Sequence, residues 1–358
     1  MSDMLITMCV IAYNEEQNIN GILECIKNQD YDHNNMEVVL VDGASTDNTR
    51  ALMCEFALDN KDEFRRVVVL DNPKKTLPSG WNFALREYKG DAIIKVDAHA
   101  VIPEDFVSKN VRVLETGEYI CGGQRPNIID KPTPFKETLL LAESSMFGSS
   151  IASYRNNPGK TYVKSLFHAA YRREVFEKVG FFNEELVRTE DNEIHYRMRK
   201  AGYKLCFDPD IISYQYTRSS LKAMLKQKYA NGYWIGKTSK VCPKCLSIYH
   251  FVPFAFVSAI IASGSVIGAT GLAECIKKRH NHTLGKGISA LRKVTVVLTT
   301  VMWVLYALMA SGMAAVSAFK AEDKRNITNA CLPVLFLLLH LSYGIGTIAG
   351  LMDKSKRG

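Results

Sequence analysis

Three long apolar stretches in the last third of the chain limit its fold more than any other feature. Residues 249–272, 294–319 and 331–352 contain no Asp, Glu, Lys or Arg. Crossing a bilayer takes about 20 such residues. Membrane helices are therefore predicted there, dividing the 358 residues into a mixed-composition part, 1–235, and a membrane part, 236–358. The first stretch is rich in serine and glycine (Ser258, Ser263, Gly264, Ser265, Gly268), so a re-entrant or interfacial course stays open for it. His340 is the ionisable residue set deepest in a stretch, and a helix–helix hydrogen bond is its plainest use.

Charge bears on topology and partners. The net charge of +8 is not gathered into a dense basic block within the first part. Its compact clusters, Lys277-Lys278-Arg279 and the tail 354–357, flank the apolar stretches and read as headgroup-facing signals. With no helix-turn-helix or RNA-binding signature, a nucleic-acid partner is excluded. Residues 1–8 lack a basic n-region, so the first part is expected in the cytosol. Three crossings would then turn the basic loop 274–293 outward, against the positive-inside tendency, whereas an interfacial first stretch would keep both clusters inside. Nine scattered cysteines read as reduced thiols, not a disulfide framework. Cys242 and Cys245 form a lone CxxC, without the second ligand pair that a zinc site needs.

Strands and helices alternate through the first part. Apolar runs at 5–12, 37–41, 67–70 and 92–96 predict buried strands, and helical spacing at 18–26, 49–56 and 80–86 fills the intervals. This order predicts an α/β fold with a mostly parallel, Rossmann-like sheet covered on both faces. Ligands of such sheets sit beyond the carboxyl ends of the strands. Polar clusters fall there: Tyr13-Asn14-Glu15, the segment Asp42-Gly43-Ala44-Ser45-Thr46-Asp47, and Asp97-Ala98-His99. Asp42 offers acceptors for a base or ribose, but the segment also reads as a turn with Thr46 or Asp47 as N-cap. Asp97 and His99 suit Mn2+ or Mg2+ if diphosphate oxygens complete the shell, and also read as a polar strand end. Glu190, Asp191 and Glu193 open a helix that closes on Arg197, Arg199 and Lys200, the pattern that complements a helix dipole. The chemical reading makes Asp191 a general base.

As an ordered set these segments resemble family 2 glycosyltransferases of the GT-A fold. The resemblance covers about the first 235 residues. It rests on residues 10–15, the Asp42–Asp47 segment, Asp97-Ala98-His99 and Glu190-Asp191. Pro78-Ser79-Gly80-Trp81-Asn82, Gly90-Asp91, the 180–185 segment and Lys200-Ala201-Gly202-Tyr203 extend it. Asp97-Ala98-His99, the 168–172 segment and the 340–346 ending look most like succinoglycan-type exopolysaccharide enzymes.

The resemblance implies roles. Ala12, Tyr13 and Glu15 would line the nucleoside pocket. Asp42 would contact the base, with Ser45 and Asp47 supporting its loop, and Asn82 would face the donor's phosphate–sugar region. Asp97 and His99 match the ends of the D-x-D metal motif, whose last residue is usually Asp. Asp191, with Glu190 beside it, matches the base of an inverting transfer. His168, Arg172, Arg218, Gln227 and Trp234 are candidates for the acceptor side or the diphosphate. Gln227 and the residues after it lack the Arg-Trp pair of processive relatives.

The expectation is thus a GT-A nucleotide-diphospho-sugar transferase domain followed by three membrane helices, the number the resemblance favours. It would be a multi-pass protein of the cell membrane with its catalytic domain in the cytoplasm. It would move a sugar from a UDP- or GDP-sugar, with a divalent metal, to a polyprenyl-diphosphate-linked or polysaccharide acceptor in surface polysaccharide synthesis. The competing readings are an inactive nucleotide-sugar-binding scaffold, a nucleotidyltransferase and a processive synthase.

Overall fold

The computed structural model describes residues 3–148, 159–218, 220–279, 285–321, 323 and 325–354. The alternating first part folds as its apolar runs predict. Strands β1 (Ile6–Ala12), β2 (Met36–Asp42), β3 (Arg66–Asp71) and β4 (Ala92–Asp97) are joined by helices α1 (Ile19–Lys27), α2 (Thr49–Asp59) and α3 (Leu77–Glu87). All four strands are parallel, and the chain order reverses between β1 and β4. The register aligns Ala12 with Asp42 and Ile11 with Asp97. The acids that end these strands therefore share one edge of the sheet, at its switch point.

Later elements complete the sheet and roof its edge. In order they are β5 (Ala100–Val101), α4 (Phe106–Glu115), β6 (Ile120–Gln124), β7 (Asn127–Ile128), α5 (Pro134–Ser144) and β8 (Thr161–Val163). Next come β9 (Ala169–Arg172), α6 (Arg173–Val179), α7 (Glu190–Lys200), β10 (Leu205–Ile212) and β11 (Tyr214–Tyr216). The eight-stranded sheet runs β3-β2-β1-β4-β9-β6-β10-β8, with β9 antiparallel to β4 and β6, and β8 antiparallel to β10. A small sheet, β5-β11-β7, stands beside the end of β4.

Both faces of the large sheet are buried. Met8, Val10, Ile94 and Val96 pack with Ile22 and Ile26 of α1 and Phe106 of α4. Cys9 and Ile93 point the other way, onto Trp81 of α3, Phe176 of α6 and Ile194 of α7. Gly80 is required in α3, because a Cβ there would lie 2.8 Å from Ile11. The motif around it serves this packing.

The later described residues are mostly helical: α8 (Leu221–Val241), α9 (Val252–Arg279), α10 (Lys286–Phe319) and α11 (Leu332–Met352). Three segments, Ile248–Arg279, Lys286–Phe319 and Ile327–Met352, are long and apolar enough to cross a membrane. The serine- and glycine-rich stretch is one unbroken helix of 28 residues. The ion pair between Glu274 and Arg292 joins α9 to α10 within the basic loop. Beyond Lys354, the basic tail lies outside the described residues.

α8 crosses the expected division at 235/236 and packs in parallel along α11. Gly232 and Gly236 on α8 meet Gly346 and Gly350 on α11, so each helix carries a small-xxx-small face. A Cβ on Gly232 would sit 2.0 Å from the Tyr343 carbonyl oxygen. His340 makes the expected helix–helix bond, meeting Tyr306 Oη of α10 at 3.0 Å, and its Nε2 donates to the Phe147 carbonyl, beyond the end of α5, at 2.7 Å.

Candidate active site

The loop after β1 and the loop after β2 are built as one unit. Asn14 takes a left-handed backbone (φ 55°), and its N–H donates to Ser45 Oγ at 3.0 Å. Its side-chain oxygen accepts from the Thr46 N–H at 2.9 Å. Asp47 accepts from the Glu16 N–H, and Asp42 accepts from the Ser45 N–H. Ser45 and Asp47 are therefore braces of the loop pair. Asp42 is buried beneath it, Ala12 is buried, and Tyr13 is exposed at the mouth.

The end of β4 holds the next layer. Asp97 is partly exposed, and its N–H donates to His168 Nε2 at 3.3 Å, while His168 Nδ1 meets Ser213 Oγ at 2.8 Å. Burial pushes the His168 pKa down. Burial also opposes ionisation of Asp97, but His168, His99 and Lys95 outweigh it and hold the carboxyl well below the usual range. His99 turns away from Asp97. Its Nδ1 lies 3.3 Å from Glu15 Oε1, and its Nε2 meets the Gln215 amide at 3.0 Å. The Glu15 hydrogen bond raises the His99 pKa, and the nearby charge of Arg218 works against that rise. Glu15 also accepts from Asn18, and these bonds outweigh the effect of burial on its carboxyl.

The opposite wall is α7. Lys95, two residues before Asp97 on β4, is buried, and its Nζ lies 2.6 Å from Asp191 Oδ1 and 3.8 Å from Glu190 Oε1. Asp191 keeps 21% of its side-chain surface exposed. Glu190 is buried, with Oε2 unpartnered among the described residues. Burial, with the charge of Asp191, pushes its pKa up to about 8. Burial would discharge Lys95, but the charge of Asp191 above all holds its pKa above the ordinary lysine value. Thr189, just ahead of α7, hydrogen-bonds Thr238 of α8 and so ties this wall to the helix that packs along α11.

Two expected site residues are corrected. Arg172 ends β9, which is antiparallel to β4, and it pairs with Ala92 at the far edge of the sheet. There its guanidinium donates to the Glu118 and Leu114 carbonyls. Asn82 is buried in α3, and its side chain is engaged within the protein. Its amide donates to the Phe182 carbonyl and Glu184 Oε1 and accepts from the Phe182 N–H, which brackets the loop leading to α7. Other placements differ in degree. His168 lies behind Asp97. Gln227 has a buried Oε1 without a partner among the described residues, and Trp234 is buried in α8, edge-on to Tyr233. Arg218 follows β11 near His99.

Sequence reasoning missed Lys95 and Gln215. Lys95 carried a signal, being a lone charge in an apolar strand run, where a buried ammonium needs a partner. Gln215 carried none.

As a cation site, the cleft offers the Asp97 carboxylate first. His99 would join only if Gln215 released Nε2. Among the described residues no three metal-ligating side chains converge. Such a set fits a cation that takes one or two protein ligands and fills its shell from a substrate's phosphates.

Known proteins agree with this architecture. Residues 7–180 match the model of glycosyl transferase family 2. The succinoglycan biosynthesis protein ExoA of Rhizobium meliloti is 28% identical over 236 residues, covering 64% of this chain and 68% of that protein. A dolichyl N-acetyl-glucosaminyl phosphate diacetamido-dideoxy-glucuronosyltransferase of Methanococcus voltae is 26% identical, covering 72% and 80%. In fold, the chain is similar to the mannosyltransferase PcManGT of Pyrobaculum calidifontis, with a TM-score of 0.58 at 18% identity, over 98% of this chain and 88% of that one. The chain thus carries a family 2 glycosyltransferase domain of the GT-A fold over residues 7–180 and belongs among the glycosyltransferases.

Proposed function

We propose that this protein transfers a sugar, with inversion, from a nucleoside diphosphate to a lipid-linked or polysaccharide acceptor at the cytoplasmic face of a membrane. The observation that carries this reading is Asp191. It is a partly exposed carboxylate on the wall of the cleft, attached through Lys95 to the strand that ends in Asp97. The nucleoside would lie over Ala12, Tyr13 and Asp42, with its diphosphate toward Asp97. The acceptor oxygen attacks the anomeric carbon, and its proton passes to Asp191. The bond from that carbon to the β-phosphate oxygen breaks, and its electron pair leaves with the nucleoside diphosphate. A divalent cation on Asp97, when bound, stabilises the charge gathering on the leaving oxygens.

The relatives' names support the substrate classes. The Methanococcus enzyme is named for a dolichyl-phosphate-linked sugar, and PcManGT is described with GDP-Man and Mn2+. Free cysteines throughout the chain suit a reducing compartment.

The test uses full-length protein in nanodiscs, a panel of UDP- and GDP-sugars with Mn2+, and release of UDP or GDP as readout. Asp191→Asn should lower turnover by about 10²–10⁴-fold while keeping thermal stabilisation by the nucleotide. Equal turnover by wild type and variant would defeat the reading.

A further inference from the structure

β4 lies inside the sheet, and Lys95 is the only charged residue in its run from Ala92 to Val96. Strand alternation turns it toward the face covered by α3 and α7. Its side chain is 5% exposed, with Nζ 5.2 Å from the Trp81 ring centre and 6.0 Å from that of Phe182. Asn82 fixes Phe182 by bonds of 3.0 and 2.8 Å. The ammonium is thus seated by rings that are themselves held.

A buried cation needs a charged partner, and two carboxyls are within reach. Glu190, at 3.8 Å, lies beyond hydrogen-bond distance, and burial favours its protonated form. Asp191, at 2.6 Å, is the charged partner. The contact engages Oδ1 only, so a turn of the carboxylate away from the cleft would break it.

Building on the reading of Asp191 as base, we propose that Lys95 is a positioning residue for the transfer. Its buried ammonium holds Oδ1 of Asp191 so that Oδ2 stays aimed at the acceptor hydroxyl. On proton transfer Oδ2 gains the proton, and the bond from Lys95 to Oδ1 keeps the group in place until the proton leaves to solvent. Lys95 touches neither donor nor acceptor. Its removal should therefore slow the chemical step without weakening donor binding.

The experiment compares Lys95→Met, Lys95→Arg and Asp191→Asn in the full-length protein in nanodiscs. UDP-glucose, UDP-N-acetylglucosamine and GDP-mannose are the donor probes, each with Mn2+. Lys95→Met should lower kcat by about 10²-fold, the scale of a misplaced catalytic group. The donor KM and thermal stabilisation by UDP or GDP should stay within about twofold, as expected when an interaction made only in the transition state is lost. Lys95→Arg keeps a buried cation and should recover part of kcat. If Lys95→Met does not fold, the double variant Lys95→Met/Glu190→Gln, which also removes the neighbouring carboxyl, must show the same loss of kcat at unchanged KM. Wild-type kcat in either Met variant, with Asp191→Asn inactive, would overturn the role of Lys95 and leave the base standing. Wild-type turnover by Asp191→Asn would overturn both.

Discussion

Two acid–base pairs flank the end of β4, one on each wall of the cleft, and they differ in how much water reaches them. Lys95 and Asp191 have side chains 5% and 21% exposed and meet at 2.6 Å. His99 and Glu15 have side chains 25% and 23% exposed and meet at 3.3 Å, with Gln215 on the other ring nitrogen. The first pair is seated under aromatic rings, where an unpaired charge has no solvent to fall back on. The second can exchange partners with water, a nucleotide or a cation at modest cost. The α7 wall therefore suits a group that must not move during the reaction. The Glu15 wall suits a surface that rearranges as donor enters. Asp97 stands between them, where a cation would meet the diphosphate.

After removal of the base itself, the largest effect is predicted at Asp97. Asp97→Asn keeps the shape but removes the charge that would hold a cation against a diphosphate. Nucleotide release should fall by about 10²–10³-fold, the scale seen when a transition-state charge loses one stabilising group. Chelation of divalent cations from wild type should reproduce that loss. If neither treatment lowers turnover, the centre of the cleft is no metal site, and the two walls carry the reaction alone.

The elements that present Asp97 were legible because parallel strands buried on both faces leave near-continuous apolar runs. β1 to β4 lie within a residue or two of the predicted runs. β5 and β11, of two and three residues, are too short to leave a pattern, so the partner that Gln215 gives His99 could not be foreseen. α8 was hidden for another reason. Its lysines fall on several faces, and Lys228 is buried beside Glu143. Arg172 and Asn82 sit in motifs that were correctly recognised, but a motif does not give strand direction or the carbonyl that an amide faces. Lys95 shows the opposite failure, since its signal was present and went unread.

A smaller effect sharpens the account of the α7 wall. Glu190 carries a pKa of about 8 in the folded protein against 4.5 for the free side chain. Between those values the unfolded chain has released a proton that the folded chain retains, so stability falls as pH rises. Glu190→Gln removes that dependence. The variant should melt with wild type below pH 4.5, gain on it up to about pH 8, and keep a constant lead above. That lead should be read as a higher Tm for the variant on the alkaline side. A lead that stays flat from pH 4 to pH 9 would mean that Glu190 ionises normally and that Lys95 is shared between two charges.

The smallest effect should come from the wetter wall. His99→Gln keeps a donor for Glu15 and a polar group for Gln215 but gives up the imidazole. Exposed pairs contribute little and are screened by salt. Nucleotide release should therefore stay within about threefold of wild type, and the Mn2+ concentration for half-maximal release should not move. The second readout decides the matter, because a hydrogen-bonding strut and a metal ligand both tolerate a modest loss of rate. Only a ligand changes how much metal is needed. If the Mn2+ requirement rises tenfold or more, His99 must leave Glu15 and Gln215 to coordinate the cation in the working complex. The bonds seen on the Glu15 wall would then belong to the donor-free enzyme, and the contrast with the fixed α7 wall would become one between a wall that rearranges on each turnover and one that does not.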